Sequence, residues 1–299
     1  MQNNCVVTEM QRKRHKRGKL NSSASPCIQA LTILFTIYFL FPIVWLLLAT
    51  TKSTTELYSL TAFEAGTSLI ENVKWLNSYE NGIFWTWCLN SIIFSGITAI
   101  LSVLISSMGG YALTKYQFRF AKPISAVSFS SMMIPQAATV IPLFLIVKEL
   151  GLVNTYPGVI LPMIASPFGI YFMTTYLKDA LPIDLIDSGR IDGANDYRIF
   201  FQIALPIMKP GIVTLFLISF ISTWNNFFLP LVLLNDAKLY PVTVGMKIWV
   251  SNLRTLGGGQ KMYPLIMVGA FISIFPMLVL FTVLRKYITS GITMGSIKT

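Results

Sequence analysis

Between residues 178 and 210 the sequence sets acidic, small and capping residues at helical spacing, inside an otherwise apolar chain. Asp184 can cap a helix beginning at Leu185, and acidic Asp187 falls in its first turn, where the helix dipole favours negative charge. Gly193 can end that helix. Asn195 or Asp196 can cap a second one through Tyr197, Phe200 and Ile203, which Pro206 is expected to stop. The first helix joins apolar Leu185, Ile186 and Ile191 to small Ser188 and Gly189. Such a surface suits close docking in a partner's groove or an interfacial place on a bilayer, and the residues alone leave both open.

Covalent chemistry has no matching constellation. The lone His15 lies in a basic tail, and no carboxylate pair falls within an apolar stretch, so acid-base machinery is not expected. Cys5, Cys27 and Cys88 fit neither a disulfide framework nor a metal-ligand spacing and are expected to pack; no metal site is expected. Gly257-Gly258-Gly259-Gln260-Lys261 lacks the spacing of a phosphate-binding loop, so no bound cofactor is expected in this chain.

The elements that must position residues 178 to 210 are membrane spans. With 54% hydrophobic and 12% charged residues over 299 positions, the chain is too apolar for ordinary soluble domains. Six stretches, 28–49, 86–113, 124–147, 156–177, 211–234 and 263–284, each supply the roughly 20 apolar residues that a helical span needs. None contains Asp, Glu, Lys, Arg or His. The expected fold is therefore an all-α membrane protein of six transmembrane helices, with the capped segment between the fourth and the fifth.

The net charge of +11 has no compact basic domain that would fit nucleic acid. Topology accounts for it better. Arg12, Lys13, Arg14, Lys16, Arg17 and Lys19 precede the first span, which places the N-terminus in the cytoplasm by the positive-inside rule. Alternate loops then put 16 of the 23 Lys and Arg residues inside, and both termini are cytoplasmic. The basic N-terminus could open a cleaved signal peptide, but the apolar run is too long and no small-x-small site follows it. Trp75, Tyr79, Trp85 and Trp87, near the end of the first external loop, suit the membrane interface.

The segment also resembles a known signature. Binding-protein-dependent ABC importer permeases carry Glu-Ala-Ala, three residues, Gly, nine residues, then Ile-x-Leu-Pro. Here Asp187-Ser188-Gly189 stands first, Gly193 follows after three residues, and Ile203-Ala204-Leu205-Pro206 follows after nine more. The likeness continues through Arg190-Ile191-Asp192-Gly193-Ala194, Met132-Met133-Ile134-Pro135, Trp224-Asn225-Asn226-Phe227 and Gly291-Ile292-Thr293-Met294-Gly295. It is closest to the carbohydrate permeases typified by the smaller membrane subunit of the maltose transporter. Asp187 in place of Glu is a shorter carboxylate, while Ser188 and Gly189 keep the small profile of two alanines.

The resemblance implies a bacterial cell-membrane importer domain over 28–285, with a basic tail at 1–27 and a second tail at 286–299. This chain would supply half of a path for a sugar or oligosaccharide. A second permease would supply the other half, and an external binding protein would deliver the sugar. Two ABC ATPase subunits would hold ATP and Mg and dock on Asp187, Ser188, Gly189, Ile191, Asp192, Gly193, Ala194, Ile203, Leu205 and Pro206. Aromatic faces suit sugar rings and amides suit hydroxyls, which makes Trp224, Asn225, Asn226, Phe227, Asn90 and Gln136 the expected path residues. The alternative is an ion-coupled secondary transporter, which the absence of ionisable groups from the spans disfavours.

Overall fold

The computed structural model of the protein describes residues 26–58, 63–116, 118–255 and 262–293, and every regular element among them is helical. The basic residues Arg12 to Lys19, Cys5, the glycine run at 257–259 and the end of the tail beyond 293 lie outside the described residues. In chain order the main helices are α1 (Pro26–Thr50), α2 (Leu69–Ser78), α3 (Ile83–Lys115), α4 (Ala121–Ser131), α5 (Gln136–Glu149) and α6 (Tyr156–Ile164). They continue as α7 (Pro167–Ala180), α8 (Ile183–Ile191), α9 (Leu205–Trp224), α10 (Phe228–Leu233), α11 (Val242–Thr255) and α12 (Met262–Thr293).

Five stretches are long and apolar enough to cross a bilayer: Pro26–Thr50, Ile83–Lys115, Tyr156–Ala180, Asp196–Trp224 and Met262–Tyr287. The expected third span, 124–147, takes another form. It is the pair α4 and α5, bent by 110°, so the count reaches six only if the pair is one broken span. Pro135 accounts for the break, because its ring and missing N–H end the preceding turn and hold Ile134 away from helical geometry.

The fifth span also differs from the expected 211–234. Helix runs unbroken from Asp196, through a π-helical stretch at Ile199–Ala204, into α9, and it ends at Trp224. Pro206 therefore does not stop the second helix. In the π stretch the Leu205 N–H bonds to the Phe200 carbonyl, five residues back, and this widened turn carries the chain past the proline ring.

Central α3 packs against both α7 and α9, and α9 packs on α12. The buried face of α3 includes a row of small polar residues, Ser91, Ser95, Thr98, Ser102 and Ser106, beside aromatic Phe84, Trp87, Phe94 and Tyr111. Small side chains at helical spacing let backbones approach, which is how helices associate where no hydrophobic force separates protein from lipid. By contrast α1 buries only Ala49 and Thr50 and lies against α12. Of the expected interfacial aromatics, Trp75 and Trp85 are exposed but Trp87 is core. Its Nε1 donates to the Ala237 carbonyl at 2.7 Å, and its ring sits 4.7 Å from that of Trp249. Cys88 is buried next to it, whereas Cys27 is exposed.

Candidate functional site

The segment after α7 folds as a short helix held against the π stretch that leads into α9. Helix α8 begins at Ile183 with Pro182 at its N-cap, two residues ahead of the expected start, and Asp184 lies in its first turn instead of capping it. Proline fits there because its φ is already set and the first turn leaves its N–H groups unpaired in any case. The far end follows the expectation. Gly193 adopts φ +79°, its N–H bonds to the Arg190 carbonyl, and the Ala194 N–H reaches back to that of Gly189, which together close the helix. Asn195, not Asp196, caps the next turn by accepting the Arg198 N–H at 2.9 Å.

Two faces of α8 have different partners. Ile186 is 1% exposed and packs with Ile199, Phe200 and Met208, the start of the long helix. Gly189 lies on that inner face, with the Ile203 and Ile199 side chains where a β-carbon would stand. Its smallness serves packing within the chain, not a partner's groove. The outer face carries Leu185, Ser188, Asp192 and Ile191, the last 86% exposed. Ser188 turns its hydroxyl back to the Asp184 carbonyl at 2.8 Å. Asp187 pairs with Arg190 at 3.7 Å, and Arg190 also reaches Asp196 at 3.5 Å. These pairs are half exposed and add little stability, but they fix Arg190 between α8 and the next turn. Ile203, Leu205 and Ala194 are half-buried beneath α8, and Pro206 is exposed.

The end of α3 clamps the same segment. Lys115 Nζ donates to the Leu181 carbonyl, and Tyr111 meets Phe200 edge to face at 5.2 Å. Burial first, and the nearby Asp196 carboxylate second, push the Tyr116 hydroxyl above the usual tyrosine range.

At the other end of α9 lies a cavity of about 740 Å³, within the size range of small-molecule sites. The break between α4 and α5 opens onto it, as does the break between α6 and α7 at Ala165-Ser166. Its polar lining includes Thr98, Ser102, Gln136, Ser166, Ser219 and Ser222. Met132, Ile134, Phe168 and Ile218 supply apolar surface. The buried hydroxyls of Thr98 and Ser102 have no hydrogen-bond partner within the described chain.

Of the six expected path residues, only Gln136 lines this cavity. Trp224 is 4% exposed and stacks on Phe220 with centroids 5.9 Å apart. Asn90 donates to the Lys238 and Tyr240 carbonyls at 2.8 and 3.0 Å and accepts from the Tyr156 hydroxyl at 2.6 Å. Asn226 accepts the Leu229 N–H at 3.3 Å, and its carbonyl takes the Thr243 hydroxyl at 3.0 Å. Asn225 is exposed and Phe227 half-buried. Ser219 and Ser222, one turn apart on α9, were the signal to weigh, but single hydroxyls in a span look the same whether they pack or face a path.

Residues 103–293 match the family described as "binding-protein-dependent transport system inner membrane component". The chain belongs to that family. Among similar proteins, the arabinooligosaccharides transport system permease protein of Halalkalibacterium halodurans is 35% identical, covering 86% of this permease and 91% of the relative. The lactose transport system permease protein of Rhizobium radiobacter is 30% identical over 87% of this permease and 91% of its own length. A crystal structure of a bacterial ABC transporter that imports the acidic polysaccharide alginate contains a chain of the same fold. Its TM-score is 0.76 at 24% identity, covering 92% of this permease and 98% of that chain. Membership makes this permease an inner membrane component of a binding-protein-dependent system, in place of the ion-coupled alternative.

Proposed function

We propose that this permease forms half of the path for a sugar or oligosaccharide and is driven by an ABC ATPase that docks on α8. One observation carries the reading. The helix that starts at Asp196, directly under α8, continues without interruption to Trp224 and carries Ser219 and Ser222 into the cavity wall. At 1.5 Å per residue its 29 residues span roughly 40 Å, so a displacement of α8 is passed to the cavity through one rigid element. The outward Leu185, Ser188 and Ile191 are apolar or small, as a face that fits a partner's groove should be.

In this reading the ATPase subunits hold ATP and Mg and contact the outer face of residues 187–194. A second permease closes the other side of the path, and a sugar-binding protein approaches from outside. Both termini and α8 are placed in the cytoplasm, which the distribution of Lys and Arg supports. The substrates named for the relatives, arabino-oligosaccharides and lactose, support a carbohydrate cargo. The test is copurification of the assembled importer with Asp187→Lys or Ile191→Asp. Each variant should reach the membrane yet lose ATPase subunits or sugar-stimulated ATP hydrolysis. Full association and normal uptake in both would remove α8 from the coupling surface.

A further inference from the structure

We infer that the wall this permease contributes to the path accepts an uncharged oligosaccharide and rejects an acidic one. The inference rests on the cavity being part of the sugar path and concerns which sugars that path takes. Among the described residues that line the cavity, the polar groups are hydroxyls and one amide, with no Asp, Glu, Lys, Arg or His. Gln136 and Ser222 are exposed and Ser219 is half-buried. All three side chains can both donate and accept, which is what a sugar hydroxyl requires. Phe168, Ile218 and Met132 stand among them and suit the apolar C–H faces of a pyranose.

A carboxylate in such a wall has no cation to pair with, and burying an unpaired charge is far more costly than burying a hydroxyl that finds a partner. The starts of α5 and α7 are the local positive features, each equivalent to at most about half a unit charge. That of α7 is already engaged, since the Gly169 N–H donates to Ser166 Oγ at 3.0 Å. The structural neighbour that imports acidic alginate shares the fold, so discrimination against charge would lie in these side chains and not in the architecture.

The experiment uses the complete importer, with Cys5 and Cys27 replaced by serine, Cys88 by alanine and Ser222→Cys as the single reporter in this chain, modified by an uncharged maleimide. Labelling rates are measured in the resting and vanadate-trapped states, with arabinotriose, lactose or raffinose as neutral probes and an alginate trisaccharide as the acidic probe. At ten times its half-saturating concentration a neutral sugar should slow labelling about tenfold, while the acidic one leaves it unchanged. Equal protection by both classes, or protection by the acidic sugar alone, overturns the inference and leaves the path reading intact. No protection by any sugar in either state overturns the path reading as well. As a second measure, adding Ser219→Arg to the reporter should confer protection by the acidic trisaccharide, and its failure to do so also counts against the inference.

Discussion

Gly189 faces Ile203 so closely that a β-carbon on the glycine would lie 2.8 Å from the Ile203 Cδ1. The contact joins α8 to the long helix that follows it. Because Cδ1 is the free end of a flexible side chain, a single methyl can be accommodated, and alanine is the better helix former by about 0.5 to 1 kcal/mol. Gly189→Ala should therefore leave stability within about 1 kcal/mol of the parent and preserve coupling. Gly189→Leu cannot be absorbed and should lift α8 off Ile199 and Ile203. Thermal unfolding together with ATPase copurification separates the two, and a leucine variant that couples normally would show that α8 need not sit against the π stretch.

Gly193 calls for a different variant, since nothing lies within 4 Å of where its β-carbon would be. The cost of substitution is thus confined to the backbone, whose φ of +79° penalises most side chains by about 1 to 2 kcal/mol. Asparagine tolerates this conformation and valine does not. Gly193→Asn should retain sugar-stimulated ATP hydrolysis and Gly193→Val should lose it, both with normal membrane insertion. Equal activities would mean that closure of α8 does not depend on the left-handed turn.

Trp224 shows how a residue can look like a ligand contact and be a packing residue. Its aromatic face suits a sugar, yet the ring is buried against Phe220 and within a cluster that includes Trp87 and Trp249. Trp224→Ala should cost about 3 to 5 kcal/mol as a core truncation. Lower yield and a lower unfolding temperature should then accompany any loss of uptake. A variant with unchanged stability and selectively raised KM would restore Trp224 to the path.

The end of α8, the cap that follows it and the first two spans were legible in the sequence because each depends on local chemistry. Gly193 and Asn195 hold the positions that their types suggest, and the bounds of α1 and α3 follow the apolar runs. What was not legible depended on what covers a residue. The helical face of Gly189 follows from spacing, but that Ile203 of the same chain fills the space beside it does not. Pro206 is a stop signal in isolation and is bypassed because the π turn ahead of it widens the helix. Asn90 and Ser222 are both single polar residues in apolar spans; Asn90 is consumed by Lys238, Tyr240 and Tyr156, and Ser222 is left facing a cavity.

Tyr116 and Asp196 make the anchoring of α8 sensitive to alkaline pH. The Tyr116 hydroxyl is raised above its ordinary value of 10.0, first by burial and then by the nearby Asp196 carboxylate. Its neutral form is the one favoured by the fold. The stabilisation is therefore complete below the unfolded tyrosine value and is lost as pH rises through the folded value. Subtracting the tyrosinate absorbance of Tyr116→Phe from that of the parent isolates this residue, and its midpoint should fall above 10. Asp196→Asn should move the midpoint down without bringing it fully to 10, because burial is the larger cause. If Tyr116 instead titrates at its ordinary value in the parent, the end of α3 does not clamp the segment after α7 in the assembled protein.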